Sequence, residues 1–441
     1  MKFTLIFPPL GHKGVKVRSF PLAPPVLEYL GGLISHHRPD WDLRLINANV
    51  EDVDPETLES DVVGITILTH QAKWAYRMAD KLRLRGITVM LGGPHTSAMP
   101  DEASLHADTV LTGEAEAVIE KVLKDMESKT LKPKYTGELL PVNGLPFPRR
   151  DLLDGYIFHA FSTSRGCPYN CKFCTTPNLH GHKVRYRPID EVIKDITSFR
   201  HKMWFSTDAD IWGPDVKRYT ELFRSMSNEL PSMYWAGEGS LSAVQHPDGM
   251  EMLRWARRSG LMQVWVGWES FNPDTIVQYG AEPKLRGGRE DALKKISDSG
   301  IDVVLFLMLG AKGEDMREYD RVLELSDKIG MTVHPVMVVP YPGTELRREL
   351  EDELIYMDNG EDDWDFYDGL HSVVRHVGAG IDNDARDRAL VKLWVDLFTY
   401  PRIIKRIKNL SFRGFPSAHI ASVMVQSALR KAFREYSVLI D

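Results

Sequence analysis

Every cysteine of the chain lies within one stretch of eight residues: Cys167, Cys171 and Cys174 are the only thiols among 441 residues. An odd number of thiols at such close spacing cannot form a disulfide framework, and a scattered set of inert buried cysteines would not cluster in this way. The trio points to a metal centre, so the fold must present a loop able to hold one. The segment Arg165-Gly166-Cys167-Pro168-Tyr169-Asn170-Cys171-Lys172-Phe173-Cys174 spaces the thiols as C-x3-C-x2-C, just after a strand-like run. Three thiolates can hold three irons of a 4Fe-4S cluster and leave the fourth iron open to another ligand. A structural zinc site is the alternative. It needs four protein ligands, and the nearby additions are His180 and His182.

Length alone suggests about three domains of roughly 150 residues. Apolar runs at 3–7, 42–46, 62–68, 88–91 and 109–111 alternate with helical periodicity, as at 72–84. This predicts an α/β fold whose first part, residues 1–127, is a doubly wound parallel sheet. Ligands of such sheets lie beyond the carboxyl ends of the strands, where this chain places Pro8-Pro9-Leu10-Gly11, Thr69-His70, Gly92-Gly93-Pro94-His95 and Thr112-Gly113-Glu114. Residues 128–152 carry prolines at 133, 141, 146 and 148 without periodicity and read as a linker. Strand patterns recur near 160–164, 203–207, 233–236, 263–267, 303–309 and 332–339, predicting six βα units, a partial (β/α)6 TIM barrel, over 153–346. Residues 347–441 begin acidic and aromatic and turn helical from about 384, a third and mostly helical region. There Leu390, Leu393, Trp394, Leu397 and Phe398 take core spacing, while Arg402, Lys405, Arg406 and Lys408 read as a solvated face.

Lys plus Arg number 55 against 62 Asp plus Glu, a formal charge of −7, and no basic block is long enough to track a polyanion, so nucleic acid is not an expected partner. The longest apolar run, 303–310, falls well short of a membrane span, and the amino terminus runs straight into a strand pattern. A soluble, cytoplasmic protein is expected.

With Phe173 ahead of its last thiol, the cysteine segment resembles the C-x3-C-x-aromatic-C signature of the radical S-adenosylmethionine superfamily. The stretches 205–210, 235–238, 267–270 and 340–344 resemble further parts of that superfamily's barrel, so the likeness covers 160–346. It implies that the amino and carboxylate groups of S-adenosylmethionine chelate the open iron. An electron from the reduced cluster, supplied by a flavodoxin or ferredoxin, then yields methionine and a 5′-deoxyadenosyl radical. Carboxylates at barrel strand ends suit the ammonium and ribose hydroxyls of that ligand: Asp208, Asp210, Glu238 and Glu269, with Ser206, Thr207 and Ser240 as hydroxyl partners. Each acid alone could equally be solvated or helix-capping. Arg185 and Arg187 either screen the cluster or are surface charge.

Gly92-Gly93-Pro94-His95, Pro100-Asp101-Glu102-Ala103 and DTVLTGEAE at 108–116 resemble the cobalamin-binding domain found ahead of many such barrels, as do Phe7-Pro8-Pro9-Leu10, Pro24-Pro25 and Tyr29-Leu30. A plain nucleotide-binding domain would show G-x-G-x-x-G or a P-loop, and neither is present. The candidate contacts are Pro9, Leu10, Thr69, His70, Gly92, Gly93, Pro94, His95, Thr96, Thr112, Gly113 and Glu114. The glycines would let backbone approach the corrin. In place of the D-x-H-x-x-G that supplies a lower cobalt ligand, the chain has Pro9-Leu10-Gly11-His12-Lys13-Gly14, so no histidine is expected beneath the cobalt.

Together the resemblances imply a cobalamin-dependent radical S-adenosylmethionine enzyme of the class B methyltransferase family. One S-adenosylmethionine would methylate cob(I)alamin, a second would supply the radical that removes a substrate hydrogen, and the carbon radical would capture the methyl group. The active cavity is expected between the two domains. A cyclase or rearrangement enzyme without methyl transfer is the alternative, and a cofactor sensor without turnover would predict a damaged cluster loop, which is not seen. The substrate is a small molecule or a protein side chain. Chain length is compatible with relatives that methylate a glutamine of methyl-coenzyme M reductase.

Overall fold

Runs such as Val62-Val63-Gly64-Ile65-Thr66 are apolar on both faces, as strands of a parallel sheet covered on both sides must be. Six of them, all parallel, form the first sheet in the order β2-β1-β3-β4-β5-β6. They are β1 Lys2–Phe7, β2 Asp42–Asn47, β3 Val62–Thr66, β4 Thr88–Gly92, β5 Thr109–Gly113 and β6 Lys134–Gly137. The computed structural model describes residues 1–411 except 15, 19, 20, 286, 359, 360 and 376–381, and beyond 411 only Val423, Gln426, Ser427, Arg430 and Lys431. Because side chains alternate across a strand, Ile6, Val63 and Ile65 pack under the helix Ala72–Leu84, while Phe3, Leu5 and Val62 pack under the helices Pro25–His37 and Ile119–Glu127.

The linker expected at 128–152 is not structureless. β6 pairs in parallel with β5, from Val110↔Lys134 to Gly113↔Gly137, and Arg150 is buried. Four residues of Lys-Tyr-Thr-Gly at a sheet edge carry too little apolar pattern to be read as a strand before the pairing is known.

The second sheet holds β7 His159–Phe161, β10 Met203–Ser206, β11 Tyr234–Glu238, β12 Leu261–Glu269, β13 Asp302–Leu309 and β14 Thr332–Met337. Its order, β14-β13-β12-β11-β10-β7, is sequential and wholly parallel, with its end strands β7 and β14 unpaired to one another among the described residues: an open, six-stranded partial barrel. A two-residue antiparallel ribbon, β8 Ser164–Arg165 with β9 Arg185–Tyr186, brackets the cysteine segment.

Beyond the barrel the helical expectation holds for Asn383–Leu397 and Tyr400–Ser411, and most of the expected helix past 411 lies outside the described residues. Ahead of them, the acidic and aromatic stretch 351–375 forms short turns and two-residue strands among its described residues. Their aromatics decide this: Trp364 and Tyr367 are buried in the core under the helix Ala72–Leu84 of the first sheet, and Trp364 Nε1 donates to Glu102 at 2.9 Å. Leu390, Leu393, Trp394, Leu397 and Phe398 join the barrel core. The supposed solvated face is partly committed, since Arg402 pairs with Asp327 at 3.1 Å and Arg406 is buried; the Lys408 side chain lies outside the described residues.

Candidate active site

The cysteine loop begins at Gly166, whose φ of 93° belongs to glycine and whose Cβ would meet the Lys183 carbonyl at 2.4 Å. Hydrogen bonds fix the loop from several sides: Cys167 N to Gly181 O at 3.2 Å, Lys172 N to Tyr279 O at 2.9 Å, and Leu346 N to Lys172 O at 3.0 Å. Tyr169 OH meets Ser242 Oγ at 2.7 Å, and Phe173 packs edge-on against Tyr279. The three half-buried thiols thereby face one cavity of about 260 Å3, together with Phe173, Asp210, Glu238, Ser240 and Glu269. Neither His180 nor His182 lines it: His180 Nδ1 faces Glu114 at 2.9 Å and His182 is exposed. Three thiolates with no histidine and no fourth cysteine among the described lining residues suit a cluster with one open iron.

The strand-end acids divide by use. Asp208 is buried and accepts from Thr163 N at 2.7 Å, Ser164 N at 3.1 Å and the Thr163 hydroxyl, so it clamps the entry to the cysteine loop. Burial pushes its carboxyl up, against the pull of those donors. Asp210 Oδ1 accepts from Ser240 N at 3.1 Å, while Oδ2 is buried without a partner, an acceptor poised for a ligand donor. Burial pushes this carboxyl up too. Glu238 is exposed at the end of β11. Glu269 is buried beside a register shift in β12 and has φ 65°, a left-handed conformation that a non-glycine residue holds only where its surroundings enforce it. Ser206 and Thr207 line a second, larger space.

That space, about 570 Å3, lies between the carboxyl ends of the two sheets. It shares Thr176, Ala209 and Glu238 with the cysteine cavity, so the two adjoin. Of the twelve candidates in the first domain, Gly92, Gly93, Pro94, Gly113 and Glu114 line it. The other seven do not. His95 is buried against Tyr76 OH at 3.1 Å, Glu102 at 3.5 Å and the edge of Trp364. Thr96 Oγ1 donates to Gly92 O at 3.1 Å and Thr112 Oγ1 to Thr136 Oγ1 at 3.0 Å. Pro9 and Leu10 lie in the loop after β1, where Leu10 N donates to Asn49 Oδ1 at 2.9 Å. Thr69 and His70 form a short turn, and burial pushes the His70 imidazole pKa down. Sequence reading missed one face of the sheet itself: Phe3, Leu5, Phe7, Gly64, Thr66 and Met90 line the cavity. Their period of two was visible, but not that this face is left partly uncovered.

Gly93 lines this space, and at φ 99° its Cβ would lie 2.7 Å from Ile67 N, so the neighbouring strand end by itself already requires the glycine. Gly93→Ala should therefore destabilise even the cobalamin-free protein, by about 2 kcal/mol or more in urea unfolding. Unchanged stability with weakened cobalamin binding would return the glycine to the ligand.

Arg185 and Arg187 are not plain surface charge. Arg185 grips Glu114 through two bonds of 2.8 and 2.6 Å, and Arg187 pairs with buried Asp195 at 2.9 Å. Arg165, immediately before the cysteine loop, pairs with Glu116 and covers the Tyr29 ring. The Arg185–Glu114 and Arg165–Glu116 pairs tie the end of β5 to the cysteine segment. Burial pushes the Glu114 carboxyl up, but bonds from Arg185 and His180 and the Arg165 charge outweigh it and bring the pKa down to about 2 from 4.5. Its stabilisation is thus present above about pH 4.5 and lost as pH falls towards 2. Glu114→Gln should cost about 2 kcal/mol in neutral-pH urea unfolding, and the gap from wild type should narrow below pH 4.5. A gap independent of pH would refute this role.

Comparison with known proteins matches residues 12–123 to the B12 binding domain and 161–326 to the radical SAM superfamily. Bacteriochlorophyllide d C-12(1)-methyltransferase of Chlorobaculum tepidum is 27% identical over 385 residues, covering 84% of this chain and 82% of the relative. The C-8(2)-methyltransferase of the same organism is 28% identical, covering 86% of each. The chain carries a B12-binding domain followed by a radical SAM domain and is homologous to cobalamin-dependent radical S-adenosylmethionine methyltransferases. The fold of this methyltransferase agrees with the structure of TsrM from Kitasatospora setae with cobalamin and a [4Fe-4S] cluster bound, at a TM-score of 0.65 and 13% identity over 99% of both chains. It agrees equally with OxsB bound to aqua-cobalamin and S-adenosylmethionine, at 0.65 and 17%, covering 98% of this chain and 71% of OxsB. The cofactors of the methyltransferase are a 4Fe-4S cluster, S-adenosylmethionine and cobalamin, and its radical chemistry needs a reductant. No helix among its described residues is long and apolar enough to cross a membrane.

Proposed function

We propose that this methyltransferase places a methyl group on an unactivated carbon of a small molecule, in the space where its two cavities adjoin. That adjacency, with Thr176, Ala209 and Glu238 common to both, is the observation that carries the reading. The cluster would supply the electron that cleaves S-adenosylmethionine, and cobalamin the methyl group. Cys167, Cys171 and Cys174 anchor the cluster. Asp210 through its unpartnered Oδ2, Glu238, Glu269 and Ser240 accept from the ammonium and ribose of S-adenosylmethionine. Asp208 acts through the loop it clamps. Gly92, Pro94, Gly113 and the apolar sheet face receive cobalamin, and burial between the domains keeps water from the radical.

The relatives named for bacteriochlorophyllide d support a ring-built small molecule over the protein glutamine considered above. A flavodoxin or ferredoxin would serve as reductant. The test is anaerobic incubation with reductant, cobalamin, S-adenosylmethionine and candidate tetrapyrroles, with mass spectrometry for a gain of about 14 daltons, one CH2. Radical cleavage of S-adenosylmethionine yielding only an unmethylated rearranged product would defeat the methyl-transfer reading.

A further inference from the structure

Outside both cavities, the chain beyond the barrel returns to the first sheet and meets the loop after β1. His12 Nδ1 faces the Asp365 carbonyl at 2.9 Å, across 353 residues of sequence. The His12 ring lies 4.5 Å from that of His371 and 5.0 Å from Phe366, centroid to centroid. Asp368 stands against both imidazoles, 3.0 Å from His371 Nδ1 and 3.7 Å from His12 Nδ1. One ring nitrogen of each histidine and one carboxylate oxygen lie within 4.8 Å of one another.

The group is held in place as metal ligands are. Asp368 Oδ1 accepts from Leu370 N at 2.9 Å and His371 N at 3.2 Å, which fixes the carboxylate. His12 Nδ1 lies 2.9 Å from the Asp365 carbonyl, a contact that holds its ring in place beside Asp368. Asp365 is itself buried, with an Oδ1 that has no partner. None of His12, Asp368 and His371 lines either cavity, so the group is separate from the cysteine loop and from the space between the sheets.

We propose that His12, Asp368 and His371 bind a divalent transition-metal ion of the zinc class, which staples the returning carboxyl-terminal segment to the first domain. Two imidazoles and a carboxylate suit such an ion, and a water completes a tetrahedral set. Such a clip joins parts of the chain far apart in sequence, where restricting the unfolded chain has the largest effect.

The probe is zinc itself, added to holoenzyme whose cysteines already carry iron and then desalted. Metal analysis should find about one zinc per chain. Zinc K-edge X-ray absorption should show a nitrogen and oxygen shell with imidazole scattering and no sulfur. His12→Gln and His371→Gln should each lower zinc affinity more than about tenfold, and should abolish the rise in Tm that zinc gives the wild type, with iron and cobalamin contents unchanged. Failure of wild-type holoenzyme to retain zinc, a sulfur shell, or undiminished zinc in the double variant would overturn the proposal. The absorption spectrum of the wild type decides even if a variant folds poorly.

Discussion

Substituting Cys167, Cys171 or Cys174 singly by Ala should abolish the brown absorbance of the reconstituted cluster and with it all cleavage of S-adenosylmethionine. The chain has no fourth cysteine to substitute for a lost ligand, and neither nearby histidine faces the cavity. The loop is also stiff: Gly166 is confined by the Lys183 carbonyl, and Lys172 is bonded through its backbone to Tyr279 and Leu346. The backbone cannot readily swing another donor into the gap, so the exposed iron is lost rather than re-ligated. Iron and sulfide analysis after anaerobic reconstitution is the measurement. A full complement of four irons in any one variant would refute the assignment.

The cysteine segment could be read in advance because its chemistry is local: spacing alone brings three thiols to one loop. The strands were legible for a related reason. Parallel sheets covered on both faces demand continuous apolar runs, and all eleven expected strands appear within a few residues of their expected ends. What was not legible depends on partners distant in sequence. Asp208, expected among the ligand contacts from its position, does line the larger cavity, but its carboxylate also accepts from Thr163 and Ser164, which lie some 45 residues earlier and which the pairing of β10 with β7 brings near. His95, in the motif that carried the cobalamin resemblance, is turned into the core by the helix that begins after Gly93, where Trp364 from the far end of the chain covers it. β6 escaped notice because a four-residue polar edge strand is defined by its neighbour and not by its own pattern.

The division of labour between the two sheets leads to a separation of activities. Enzyme stripped of cobalamin, with its cluster intact, should still release 5′-deoxyadenosine but form no methylated product. The cysteines, Asp210, Ser240 and Glu269 line the smaller cavity without any residue of the first sheet, so nothing in the cleavage site is removed with cobalamin. The larger cavity is where residues of the two sheets meet, Gly92 and Gly113 on one side and Ser206 and Thr207 on the other. With cobalamin held there, as proposed, its loss would remove the methyl donor and leave the radical source. Cleavage should also become less tightly coupled to substrate, because an unfilled space between the sheets admits water to the radical. In the reverse direction, Cys174→Ala should retain cobalamin, measured by its visible spectrum in cluster-free protein, and methylate nothing. Normal methylation by the stripped enzyme would show that the first domain is not the donor site, and the reaction would have to be a radical transformation of another kind.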